Sequence, residues 1–156
     1  MAARMAGSLE IQLLNRSGVE LEPGVLKAAA ERILADLGFE RGELGVTLVD
    51  VEEMSALNRQ HLDREGPTDV ISFPLDEEAE PGMPLLLGDV VICPQVAREN
   101  SGLYGTTFGA EMCRLLVHGI LHVAGFDHES DGGEMNGREE ELVRAVCRDT
   151  GEWTQE

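Results

Sequence analysis

Three histidines fall within eleven residues of one apolar stretch, His118-Gly-Ile-Leu-His122-Val-Ala-Gly125-Phe-Asp-His128. On a helix, positions i and i+4 are separated by about 40° of rotation and roughly 6 Å of rise, so His118 and His122 project side by side from one face. Gly125 can take the left-handed conformation that ends a helix, which turns the chain so that His128 approaches the same point from outside. Three neutral imidazoles in that arrangement suit one Zn²⁺ ion per chain, with a fourth coordination position left for water. An open position means catalysis: the metal would bring the pKa of its water toward about 7 and supply a hydroxide nucleophile at neutral pH. Ordinary core or surface histidines are the simpler account of a lone His, and His61 is read that way. Two imidazoles in an otherwise apolar helix, followed by a third after a glycine stop, are not what that account predicts.

The spacing H-x-x-x-H-x-x-G-x-x-H is also that of the metzincin proteases, whose motif puts a glutamate general base directly after the first histidine. Gly119 stands there. The chain shares the cage without the proteolytic base, and glycine at that position lets another backbone or a substrate come close. Softer candidates lie elsewhere. Thr68, Asp69 and Ser72 begin and follow a strand that could border the cleft, where Asp69 and Ser72 would orient water or a ribose; Asp69 could equally cap a turn. Asp127 could accept the second N–H of a ligand histidine or simply sit in the turn.

The elements that must position these groups are legible from periodicity. Leu9, Ile11 and Leu13 alternate with Glu10 and Gln12, the pattern of a half-buried strand. From Pro23 to Gly38, Leu26, Ala30, Ile33, Leu34 and Leu37 share one helical face. Residues 44–51 read as a second strand, and Asp50 with Glu53 as a capping pair opening a helix to about His61. Strands follow at 68–73 and 86–93, then a short helix Pro94 to Asn100. A helix within 106–125 is apolar on nearly every side and so buried, and a last helix runs from Gly133 to about Thr150. The order β-α-β-α-β-β-α-α-α predicts an α+β fold: one domain over residues 1–156, with a small mixed sheet of about four strands packed with helices. Its central buried helix carries the metal-binding histidines, and residues 1–7 form a flexible N-terminal tail.

A length of 156 residues suits one domain, and 42% apolar with 27% charged residues is a globular composition. Charge is the outlier: 30 Asp and Glu against 12 Lys and Arg give a net charge of -18, a field that repels polyanions and acidic membranes. Three cysteines, Cys93, Cys113 and Cys147, are an odd and widely spaced set without a disulfide framework, so a reducing cytoplasm is expected. No run of about 18 apolar residues and no signal-like start occur, so neither a membrane partner nor export is expected.

Several separated strings agree with one family. H-G-I-L-H-V-A-G-F-D-H (His118 to His128), P-T-D-V-I-S-F-P (Pro67 to Pro74), G-D-V-V-I-C-P (Gly88 to Pro94), the Leu57-Asn58 pair and P-Q-V-A-R-E-N together resemble the YbeY family of metalloendoribonucleases, in order over roughly residues 45 to 145. The resemblance implies a zinc-dependent, single-strand-specific endoribonuclease. It would act in ribosomal RNA maturation, notably at the 3′ end of 16S rRNA, and in ribosome quality control, with RNA and the ribosome or its proteins as partners. It also implies an α+β fold with His118, His122 and His128 as metal ligands. Many members carry an arginine four positions past the asparagine, where this chain has Leu62; Arg59 and Arg64 are the nearest guanidinium groups, with Arg59 a candidate for the catalytic role. Two other functions fit the residues: a zinc peptidase or amidase, and a non-catalytic ribosome-assembly factor whose zinc staples the C-terminal helices through a fourth ligand such as Asp127 or Cys113.

The acidity then becomes a statement about how RNA is held. From Asp127 onward ten acidic residues face three arginines, and Asp76, Glu77, Glu78 and Glu80 form a second block. Arg59, Arg64, Arg98 and Arg114 are left as a local positive rim. Recognition should lean on the metal, the cleft shape and ribosomal partners more than on phosphate contacts.

Overall fold

Alternating burial in the strands decides which side of the sheet receives the helices. The computed structural model describes residues 8–75, 85–126, 132–147 and 153. In chain order they form β1 (Leu9–Asn15), α1 (Pro23–Asp36), β2 (Gly42–Leu48), α2 (Val51–Leu62), β3 (Val70–Pro74), β4 (Leu86–Ile92), α3 (Pro94–Tyr104), α4 (Phe108–Val123) and α5 (Glu134–Val146). The expected N-terminal tail, residues 1–7, lies outside the described residues.

The four strands make one mixed sheet in the order β1-β2-β4-β3. β1 and β2 pair in parallel with Ile11 opposite Leu44, and β2 and β4 in parallel with Val46 opposite Val90. β3 runs antiparallel on the edge, with Ser72 opposite Val90. Leu44, Val46, Leu48, Val90 and Ile92 turn to one face and join Leu26, Ile33 and Leu34 of α1 and most of α4 in the main core. Ile71 and Val91 turn to the other face, where Met54 of α2 completes a smaller cluster. β3 therefore has packing on both sides while its outer edge is left for a cleft.

Local signals set the helix ends. The Asp50 carboxylate accepts the Glu53 backbone N–H at 2.8 Å and caps α2, as expected. The Glu53 side chain does not reach back to Asp50; it pairs with Arg16 from the end of β1. Thr107 caps α4 through the Ala110 N–H at 3.0 Å. α3 extends four residues past the expected Asn100 and stops at Gly105, which takes φ +72° and gives its N–H to Ser101 O; Ser101 itself is buried and donates its hydroxyl to Arg98 O at 2.8 Å. Trp153 is buried, and its carbonyl accepts the Glu22 N–H at 3.0 Å, so the chain returns to the start of α1. No helix among the described residues is long and apolar enough to cross a membrane.

One expectation is corrected. Cys113 of α4 and Cys147 at the end of α5 form a disulfide, with Cα atoms 5.7 Å apart and a sequence separation of 34, while Cys93 is free and buried. Sequence spacing could not show this, because the pairing arises from the packing of α5 on α4. Closing a loop of that length constrains the unfolded chain by about 3–4 kcal/mol. A Cys147→Ser variant, or the protein under dithiothreitol, is expected to unfold at correspondingly lower urea than the oxidised protein, and equal midpoints would show that the bond contributes nothing.

Candidate active site

Between Glu111 and Val123, the positions of α4 that are not buried are Arg114, His118 and His122, a single line along one helical face. That line opens onto a cavity of about 430 Å³. Its walls are His118 and His122 of α4, Val70, Ile71, Ser72 and Pro74 of β3, Leu62 at the end of α2, and Gly125 with Phe126 beyond α4. The two imidazole rings stand one turn apart, centroids 4.7 Å and planes at 76°. Gly125 has φ +103° and closes the helix as expected, its N–H on His122 O at 3.0 Å and the Phe126 N–H on Leu121 O at 3.0 Å. The chain thus leaves α4 at the cavity. His128, the expected third ligand, and Asp127, its neighbour, lie outside the described residues. Among the described residues no three His, Cys, Asp or Glu side chains gather as a metal-binding group.

Gly119 explains how the helix comes so close to the sheet. A Cβ there would lie 2.6 Å from Val90 Cγ1 and 3.3 Å from both Ser72 Oγ and Val70 Cγ2. Ser72 donates its hydroxyl to the Gly119 carbonyl at 3.0 Å, which ties β3 to the turn of α4 between the two histidines. The residue after the first histidine therefore faces the sheet.

The remaining sequence candidates divide. Ser72 lines the cavity, with its hydroxyl engaged as described. Asp69 does not line it: its carboxylate accepts from Asn100 of α3 at 3.3 Å and from Thr68 at 3.4 Å, and its carbonyl accepts the Cys93 N–H at 2.9 Å. Leu62 does line the cavity and is 46% exposed, whereas Arg59 and Arg64 are exposed beside it at the end of α2 and outside the lining. His61 meets the Phe73 ring edge-on at 5.0 Å. Of the positive rim, Arg98 lies over the Phe108 ring at 4.3 Å and Arg114 is bound to Glu111, so two of its four members are spent within the protein.

One participant is absent from the sequence reading. Glu139 of α5 places Oε1 2.7 Å from His118 Nδ1 and Oε2 3.7 Å from Arg114 Nη1. Burial pushes the Glu139 carboxyl up, but the hydrogen bond from His118 and the charges of His118, Arg114 and His122 outweigh it and leave it below the ordinary carboxylate range. Hydrogen bonding to Glu111 holds Arg114 firmly charged. A signal existed: Glu111, Arg114, His118 and His122 are spaced 3, 4 and 4 along a helix otherwise apolar, so a charged stripe needed partners from a neighbouring element.

A family model described as Endoribonuclease YbeY matches residues 15–146. The chain belongs to the YbeY endoribonuclease family. Among its relatives, the Endoribonuclease YbeY of Micrococcus luteus is 40% identical over 146 residues, covering 88% of this chain and 92% of the relative. That of Mycobacterium marinum is 35% identical over 157 residues, covering 95% and 85%. The solution structure of TM1509 from Thermotoga maritima matches with a TM-score of 0.61 at 31% identity, over 87% of this chain and 88% of that one. The match to the YbeY model spans every element from α1 to α5, so the cleft between β3 and α4 is part of the shared domain.

Proposed function

We propose that this protein is a zinc-dependent, single-strand-specific endoribonuclease that works in the cytoplasm on ribosomal RNA, at the 3′ end of 16S rRNA and in ribosome quality control, in company with the ribosome or its proteins. The observation that carries it is the pair His118 and His122 on one wall of the cavity, in a chain of the YbeY endoribonuclease family. The residues fit a metal: two imidazoles one turn apart, one of them held at Nδ1 by a carboxylate, form a nitrogen donor set of the kind zinc takes. His128 is the proposed third ligand. Bound there, the metal supplies Lewis acidity toward a phosphodiester and toward water. The chain's own groups do the rest. Leu62, Val70, Pro74 and Phe126 give the cleft an apolar lining that suits unpaired bases, and Ser72 holds β3 at its distance from the histidines. Cys113, weighed as a fourth ligand for a structural zinc, is instead bonded to Cys147.

Removing the metal with a chelator is expected to abolish cleavage of a single-stranded RNA, and zinc to restore it, while a duplex of the same sequence stays intact; cleavage indifferent to the chelator would remove the metal from the reading. Binding should also depend only modestly on salt. With Arg59 and Arg64 as the exposed rim, about two phosphate contacts give a log-log slope near -1.4, or less than ~10-fold loss of affinity for an uncleaved RNA between 50 and 200 mM salt. A loss of ~10³-fold would reveal a basic surface that the described residues do not show.

A further inference from the structure

We propose that Glu139 is a positioning residue for His118, holding the imidazole from α5 so that its Nε2 lone pair is presented to a divalent cation, and that α5 is thereby a working part of the site. The inference rests on the metal reading above and deepens it. Oε1 of Glu139 lies 2.7 Å from His118 Nδ1; a carboxylate only accepts, so the contact calls for a proton on Nδ1, and in the neutral ring the lone pair is then on Nε2. The carboxylate is itself held. Its other oxygen faces Arg114 at 3.7 Å, and Arg114 is locked by two bonds to Glu111, Nε to Oε1 at 3.2 Å and Nη2 to Oε2 at 2.7 Å. Glu111 is 2% exposed and Glu139 18%, so the first carboxylate is closed off from water and the second is only partly open to it.

The charge count points past His118. Glu111, Arg114 and Glu139 are two carboxylates sharing one guanidinium, and Asp69 adds a further negative field at Arg114. Among the described residues this group carries an excess negative charge directed at the imidazole. Half-buried charge of that kind is costly without an opposite charge; Arg114 supplies part of it, and a dication beyond a neutral ring would supply the rest in place of a proton on the imidazole. A carboxylate serving only to pin α5 onto α4 would need no histidine, since Arg114 lies within reach and the Cys113–Cys147 bond already joins the two helices.

The test is calorimetric titration of the metal-free protein with Zn²⁺, comparing the parent with Glu139→Ala, Glu139→Gln and, as a control on the same helix, Glu141→Ala, whose carboxylate meets only Arg138 at 3.0 Å among the contacts described. Glu139→Ala is expected to bind zinc about 10–100-fold more weakly while keeping its far-ultraviolet circular dichroism. Glu139→Gln, which still accepts from Nδ1 but carries no charge, should fall between Ala and the parent, and Glu141→Ala should match the parent. Zinc affinity within about twofold of the parent in Glu139→Ala, or an equal loss in Glu141→Ala, overturns the inference. A parent that binds no zinc removes the metal reading and this inference together; a parent that binds it, with an Ala variant that binds equally, removes the inference alone.

Discussion

Replacing His122 by alanine is expected to cost the protein its bound zinc and about three orders of magnitude in cleavage of single-stranded RNA, ~4 kcal/mol of transition-state stabilisation. His122 stands one turn from His118 on the cavity wall, and a nitrogen donor set that loses one member can no longer hold the ion in the geometry the chemistry needs. The side chain is only partly buried, unlike Leu121 and Val123 on either side of it, so its removal leaves the core intact. The loss should therefore appear in metal content and rate while the urea midpoint of the metal-free protein stays put. Metal content by atomic absorption and cleavage of a labelled single strand check it together. Full activity with full zinc would mean that the histidine line on α4 serves packing and nothing more.

Whether a feature could be read from sequence depended on how local its cause is. Asp50 was legible as a cap because its partner is three residues away, and α4 as a buried helix because its apolar residues surround the axis. His118 and His122 were legible as a pair because helix geometry alone places them together. Gly125 was legible as a stop for the same reason. What escaped depends on tertiary contact. Glu139 reaches His118 across 21 residues, Cys147 reaches Cys113 across 34, and the Trp153 carbonyl meets the N–H of Glu22 from the far end of the chain. All three come from the segment after α4. The last helix was itself legible, because Met135 and Leu142 recur at core-facing positions, but nothing local marks which of its many charges turns inward, and Glu139 does so toward the site. The same tertiary logic reassigned two rim arginines: Arg98 and Arg114 are cations in sequence, but the fold gives each a partner inside the protein.

Substitution at Gly119 should damage the fold, and the reason also bears on how this site differs from that of a protease. A helical Gly→Ala change ordinarily gains up to about 1 kcal/mol. Here the added methyl would stand 2.6 Å from Val90 Cγ1, on a β-branched and fully buried side chain that cannot swing away. Moving α4 outward instead would strain the Ser72 to Gly119 hydrogen bond. Gly119→Ala is therefore expected to destabilise by about 1–3 kcal/mol net, read as a fall of several degrees in Tm. Gly119→Glu should leave no folded protein at all. It would force a carboxylate between α4 and the sheet, with a penalty of several kcal/mol for the charge on top of the steric cost, against a total stability of order 5–15 kcal/mol. In a zinc peptidase of metzincin spacing, the residue after the first histidine must be a glutamate that reaches the metal-bound water. In this fold a side chain at the same position would meet Val90, Val70 and Ser72 of the sheet, so there is no room for a glutamate there. Glycine at 119 is the condition for docking the histidine helix on β3 and β4, and a Gly119→Glu protein that folded with parental stability would undo that account.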